Sequence, residues 1–172
     1  KEFEKAIDLK PDYDEAYNNL GNTSKKMDNH EQAIFHYKKA LEIKNDAGYH
    51  HNLGISLNLV GDINKSIYHH KSAVSIDPKS SLLLETLLFN SNYSPDMSAE
   101  EIFDYYKQYN KQFGLPYKSQ WKSFTQPKVP QKKLKIGYVS PDFRNHPMMN
   151  FLLPIITHHN RQQFEIFAFA EF

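Results

Sequence analysis

Along the first half of the chain, apolar residues recur at the three- and four-residue steps of a helix, and small residues sit among them at a fixed longer period. Ala6 returns as Ala40 and again as Ala73, and Gly21 returns as Gly54, each time within Asn-Leu-Gly. Pro11 has its counterpart in Pro78. The period is thirty-four residues and then thirty-three, with the missing residue in the turn around positions 45–47. Each period predicts two helices. Tyr17, Leu20, Gly21 and Ser24 mark the first helix of one period, and His50, Leu53, Gly54 and Leu57 that of the next. Ala33, Tyr37 and Ala40, then Ser66, His70 and Ala73, mark the second helix of each. Gly21, Ala33, Gly54 and Ser66 let two backbones approach, and larger side chains fill the space beside them. Gly61-Asp62 supplies a turn between helices.

This period and these key positions resemble the tetratricopeptide repeat over residues 1 to about 79. Residues 1–10 then read as the last turns of a second helix whose partner precedes Lys1, so a longer chain is expected at that end. An array of such repeats lines a groove with its first helices. Asn19 and Asn52 hold the same position there in successive repeats. Stacked amides donate to and accept from a peptide backbone without reading its side chains. The same two residues are equally well described as polar groups on a solvated helix face.

Residues 80–92 are apolar on most sides and predict a helix that closes the array. Ser98 to Glu101 is a capping box. The helix it opens carries Ile102, Phe103, Tyr106, Tyr109 and Phe113 at helical spacing and is expected to end at Gly114. Pro127 and Pro130, with Lys128, Lys132 and Lys133, form a linker. The pattern then switches. Residues 134–140 read as a buried strand, 141–146 as a loop, and Pro147 as the first position of a helix with Met148, Phe151, Leu152, Ile155 and Ile156 on one face. Pro154 is expected to kink that helix. Phe164 to Ala170 reads as a second strand. Strand, helix and strand make a βαβ unit, the opening of a parallel sheet. Parallel sheets are covered on both faces and have more strands, so a larger α/β domain is expected to follow. The expected organisation is repeats with a closing helix over 1–92, a connecting helix and linker over 93–133, and an α/β region over 134–172.

The loop at 140–146 lies at the carboxyl end of a strand and before a helix N-terminus, a place that favours anions. His146 is its one side chain suited to proton transfer near neutral pH. It is also placed to cap the helix that starts at Pro147. No Gly-x-Gly-x-x-Gly occurs, so nothing supports a dinucleotide.

Composition narrows the picture. Hydrophobic residues make up 40% and charged residues 24% of 172, as in a folded chain, and the net charge of +1 argues against a nucleic-acid grip by bulk charge. No cysteine is present, which fits a reducing, cytoplasmic setting. No apolar run approaches the ~20 residues of a membrane span, and the first residues are not a signal peptide. The pairs His50-His51, His69-His70 and His158-His159 lack the spacing of a zinc site, so no metal is expected. His50 and His70 fall where the repeat holds packing aromatics and read as core or groove residues.

Repeats followed by Leu-Lys-Ile-Gly-Tyr-Val-Ser-Pro-Asp-Phe-Arg-Asn-His-Pro at 134–147, then Phe-Glu-Ile-Phe-Ala-Phe-Ala at 164–170, resemble the O-linked N-acetylglucosamine transferase and SPINDLY family. Residues 92–103 are similar to that family's connecting region. The resemblance implies a mainly α chain, a tetratricopeptide solenoid running into the opening βαβ unit of a Rossmann-like catalytic domain of the GT-B type. It implies a protein O-glycosyltransferase that moves a sugar from a nucleotide donor, usually UDP-N-acetylglucosamine, to Ser or Thr without a metal or other cofactor. A protein or peptide substrate occupies the repeat groove, where Asn19 and Asn52 match residues that touch peptide backbone. The donor binds mainly to a second lobe outside these residues, so this chain by itself is expected to be inactive. His146 matches the histidine beside the family's active site, within a loop that also carries Asp142, Arg144 and Asn145. Asn150 stands where the family often has a second histidine, and Arg144 where the animal enzymes have glycine. The competing expectation is a scaffold that docks a partner peptide and has no catalytic role.

Overall fold

The computed structural model describes residues 2–123 and 132–170. Pro127, Lys128 and Pro130 of the expected linker lie outside the described residues. The chain divides after Trp121 into two compact units.

The first unit is helical. Helices α1 (Glu2–Leu9), α2 (Asp14–Lys26), α3 (His30–Ile43), α4 (Ala47–Leu59), α5 (Ile63–Ile76), α6 (Ser81–Ser91) and α7 (Ala99–Tyr109) follow one another by short turns. Each helix packs on the next through α7, and α2–α3 and α4–α5 are the two pairs that the period predicts. Where the first helix of a pair carries glycine, the second brings a ring onto it. A Cβ at Gly21 would sit 2.5 Å from Cε1 of Tyr37, and one at Gly54 would sit 2.6 Å from Cε1 of His70. Tyr37 is fully buried and His70 almost so. Ala33, Tyr37, Leu53 and Leu57 form one core cluster across α3 and α4. Ile67, Ala73, Val74, Leu83, Leu84, Leu87 and Leu88 form another across α5 and α6.

The turns repeat as well. Asp28 (φ 61°) and Gly61 (φ 83°) hold the left-handed position between the helices of the two pairs, where glycine is relaxed and aspartate is strained. The next residue caps the following helix. Asn29 Oδ1 accepts from the Gln32 N–H, and Asp62 Oδ1 from the Lys65 N–H, which satisfies one orphan donor in each case.

The α7 region departs from expectation in three ways. Ser98 Oγ accepts from the Glu101 N–H at 3.1 Å, but the Glu101 carboxylate turns away to Lys71 of α5 at 2.9 Å. Only half of the capping box forms, because an ion pair across helices takes the acid. The face turned to the core is Tyr105, Tyr109 and Phe113, while Phe103 and Tyr106 are exposed. Tyr109 is fixed by donating to Glu85 of α6 at 2.7 Å. Beyond α7 the chain continues as a π-helical turn (Asn110–Gly114) and a 3₁₀ turn (Leu115–Gln120), so Gly114 does not end it.

The second unit is strand β1 (Leu134–Val139), helix α8 (Met149–His158) and strand β2 (Phe164–Phe169). The strands pair in parallel from Leu134 opposite Phe164 to Val139 opposite Phe169. Helix α8 runs through Pro154 and starts at Met149, two residues later than Pro147 implied. The reason is local. The N–H groups of Met149, Asn150 and Phe151 bond three residues back, to His146, Pro147 and Met148, a tightened turn that precedes the regular helix.

The glycine-to-ring contacts lead to a test. Gly21→Ala and Gly54→Ala each gain up to ~1 kcal/mol of helix propensity. Each also forces a methyl into a ring, at a cost of about 1–3 kcal/mol. Both variants are expected to show a lower urea midpoint by circular dichroism, although alanine is the better helix former.

Candidate functional site

The first helices of successive repeats are tied together by asparagines. Asn52 of α4 donates from Nδ2 to Asn18 Oδ1 of α2 at 3.0 Å. The sequence-predicted partner in the ladder is Asn19, its counterpart one repeat earlier, yet the bond goes to the neighbour. Asn52 therefore spends one of its two N–H groups inside the protein and keeps Oδ1 and the second N–H for a ligand. Asn19 and Asn52 are both half-buried, on successive first helices. Two further asparagine contacts, unremarked in the sequence, join other helices. Asn22 Oδ1 accepts from the Tyr37 hydroxyl at 2.8 Å, and Asn58 of α4 donates to Asn90 of α6. Their signal was available, since Asn18 and Asn22 are one turn apart on the same helix face. Burial pushes the Tyr37 phenol up to about 12, so that hydroxyl remains a donor at any ordinary pH. Tyr49 likewise ties α4 to α2, donating to Asp14 Oδ2 at 2.9 Å.

In the second unit the loop after β1 gathers Asp142, Arg144 and His146. The Ser140 amide donates to the Phe169 carbonyl at 3.1 Å, which fixes the end of β1 against β2. Ser140 Oγ then accepts from the Asp142 N–H at 3.1 Å. This turns Asp142 between two cationic or titratable neighbours: Arg144 Nη2 lies 3.8 Å from its Oδ1, and His146 Nδ1 lies 3.8 Å from its Oδ2. Both separations exceed hydrogen-bond length; Arg144 attracts Asp142 through space, and the His146 ring does so only when it is protonated. His146 Nδ1 instead accepts from the Met148 N–H at 3.2 Å. It is thus a cap for the turn that starts α8, and its ring remains exposed to solvent. Asn145 is exposed in the same loop. Each unit holds its own candidate residues: the loop residues stand together in the second, and Asn19 and Asn52 stand in the first.

The other histidines occupy distinct places. His70 is the buried ring against Gly54. His50 bonds His69 through their Nδ1 atoms at 2.8 Å, beside a groove between α3 and α5. His159 Nε2 lies 2.6 Å from the Tyr138 hydroxyl. Among the described residues no group of three or more His, Cys, Asp or Glu is arranged to hold a metal. Among them, too, no helix is long and apolar enough to cross a membrane.

Comparison with known proteins follows this division. Residues 14–46 match the model of the tetratricopeptide repeat, and residues 112–171 match that of glycosyl transferase family 41. A barley (Hordeum vulgare) relative, described as a probable UDP-N-acetylglucosamine–peptide N-acetylglucosaminyltransferase SPINDLY, is 33% identical over 95 residues, 55% of this chain and 10% of that protein. An Arabidopsis thaliana relative, the corresponding SEC protein, is 46% identical over 39 residues, 23% of this chain and 4% of its own. The chain thus spans about a tenth or less of the curated relatives it matches. Among solved structures, a Thermobaculum terrenum O-GlcNAc transferase mutant superposes with a TM-score of 0.68 at 24% identity, over 98% of this chain and 32% of that one. MamA superposes with a TM-score of 0.57 at 16% identity, over 69% of this chain and 74% of its own; at these identities the likeness is one of fold. The first unit is thus similar to tetratricopeptide repeats over residues 14–46, residues 112–171 are similar to glycosyl transferase family 41, and the curated relatives that match are of the SPINDLY and SEC type.

Proposed function

We propose that this chain serves a protein O-glycosyltransferase, in which the repeats hold a protein substrate and the loop after β1 forms part of the site where a sugar passes from UDP-N-acetylglucosamine to a Ser or Thr hydroxyl. The observation that carries this reading is the family 41 match over residues 112–171, a span that contains the loop of Asp142, Arg144, Asn145 and His146. No metal or other cofactor is required by this chemistry, and a cytoplasmic setting suits a chain without cysteine. In the groove, Asn19 and Asn52 present amides to the substrate backbone, and the bond to Asn18 holds Asn52 in place for that task.

The geometry favours a particular role for His146. With Nδ1 accepting from the Met148 N–H, the neutral ring carries its proton on Nε2. The group on offer is then a hydrogen-bond donor, and the lone pair that a general base would use is occupied. His146 reads as a positioning residue for an oxygen of the acceptor or donor, with the Asp142 carboxylate 3.8 Å from its Nδ1. Arg144, more exposed, is suited to meet negative charge.

Four measurements check this. In a protein that carries this chain at the full length of its relatives, labelled sugar should pass from UDP-N-acetylglucosamine to peptide. His146→Ala should lower kcat/KM by on the order of 10²-fold, and His146→Gln, which keeps an N–H donor, should recover part of it. A general base would not be rescued by glutamine, so equal loss in both variants speaks for proton transfer. Nitrogen-15 spectra of the ring should show Nε2 protonated and Nδ1 bare. Replacing Asn19 and Asn52 together by alanine should weaken peptide binding about tenfold or more, at ~1 kcal/mol per lost bond, with little change in sequence preference. A protein that binds peptide but shows no heat with UDP in calorimetry would be a scaffold instead.

A further inference from the structure

The two helix pairs differ at one decisive place. The first is closed by Tyr37 on Gly21, the second by His70 on Gly54. Tyr37 is buried with its hydroxyl bonded to Asn22. His70 is 1% exposed, and neither of its ring nitrogens has a hydrogen-bond partner among the described residues. Around it stand three more imidazoles. The His51 ring of α4 is 5.7 Å from it, centroid to centroid, and His51 Nδ1 is also buried without a partner. His69 precedes it on α5 and meets His50 of α4. His50 Nε2 pairs with Asn45 Oδ1 at 2.8 Å, which makes that nitrogen the donor. His50 Nδ1 is then the acceptor of the His69 Nδ1–H. The His50–His69 pair can take up one proton and keep an N–H···N bond, but a second proton would set two N–H groups face to face at 2.8 Å.

We infer that the second repeat is an acid-sensitive joint, in which protonation of the imidazoles packed between α4 and α5 loosens that helix pair while the tyrosine-closed first pair holds. A neutral His70 fits its cavity as an aromatic does. A charged one would carry two buried N–H groups and a full charge with nothing to receive them, which a folded protein avoids by opening. The surrounding charges add to this effect. Lys25 of α2 acts against a charge on His51 and Lys38 of α3 against one on His69; Asp46, before α4, opposes them at His50 alone. On the far side, α6 meets α5 through leucines, its Glu85 is taken by Tyr109, and Glu101 of α7 is paired with Lys71. The His50–His69 pair borders an open groove of about 750 Å³ between α3 and α5, through which protons reach it.

The direction in pH is fixed by burial, which lowers both His69 and His70 from 6.5 to about 4. The unfolded rings bind protons first, so this part of the stability is present above about pH 6.5 and is lost as the pH falls through about 4. Asn52 rides on α4 beside His51, so loosening the pair also disturbs the amide row; that consequence rests on the groove reading, whereas the joint itself does not.

Hydrogen exchange on the full chain at pH 7 and pH 5, corrected for intrinsic rates, tests the idea. Protection in α4 and α5 should fall at least tenfold more than in α2 and α3. The double variant His70→Tyr, His69→Gln should remove that difference. An equal fall in both pairs, or an unchanged acid response in the folded variant, overturns the inference. Should the variant not fold, nuclear magnetic resonance titration of the native chain decides. His70 should stay neutral well below pH 6.5 and charge only as α4 and α5 lose protection. Titration near 6.5 with both helices intact would refute the joint.

Discussion

The approach of one helix backbone to a ring on the next is the contact on which the rest of the first unit depends. Gly21 and Gly54 have no Cβ, and the rings of Tyr37 and His70 lie where one would be. That closeness brings Ala33, Ala40, Ser66 and Ala73 to full burial, because only small side chains fit between helices so near one another. With each pair closed, the first helices α2 and α4 meet through Asn52 and Asn18, and through Tyr49 and Asp14. The polar contacts between α2 and α4 are therefore a by-product of the packing behind them. A glycine chosen for the core sets the spacing of the amides on α2 and α4.

This is why the helical part was legible from sequence. A repeat states its packing constraint more than once, and glycine, alanine and aromatic residues at fixed offsets admit few other structures. Even the turns agree, with Asp28 and Gly61 in one conformation and Asn29 and Asp62 in one capping role. Legibility failed where a residue had two partners to choose from. Glu101 was free to close its own capping box or to pair with Lys71, and the choice depends on where α5 lies. The stripe on α7 was ambiguous for the same reason. With aromatics at 103, 105, 106, 109 and 113, periodicity allows two adjacent faces, and only the leucines of α6 and the Ile67 and Val74 side chains of α5 decide that Tyr105, Tyr109 and Phe113 turn inward.

The asparagine row shows a subtler limit. Equivalent positions in successive repeats need not touch, because neighbouring helices are offset as well as stacked. Asn52 reaches Asn18, thirty-four residues away, while its counterpart by helix start is Asn19, thirty-three away. One residue along a helix is a turn of about 100°. The sequence put Asn19 and Asn52 on successive first helices, but which amide is spent on a neighbouring helix is a matter of helix rotation.

The loop after β1 raises a question of economy. The Met148 N–H needs an acceptor at the start of α8, and His146 Nδ1 supplies it. Asparagine, aspartate or serine would do that at least as well, since short side chains with an oxygen are the preferred caps. An imidazole brings something those residues do not: a second nitrogen, held by the first at a fixed angle and left in solvent. Capping by Nδ1 also fixes the tautomer of the neutral ring, with the proton on Nε2. On the role proposed for His146, the cap and the donor are one device. The bond that starts the helix orients the donor, and Asp142 behind the ring, itself placed by Ser140 Oγ at the end of β1, sets the charge around it. Were the cap the only purpose, nothing would call for a ring there; were proton abstraction the purpose, the bond to Met148 would stand in its way.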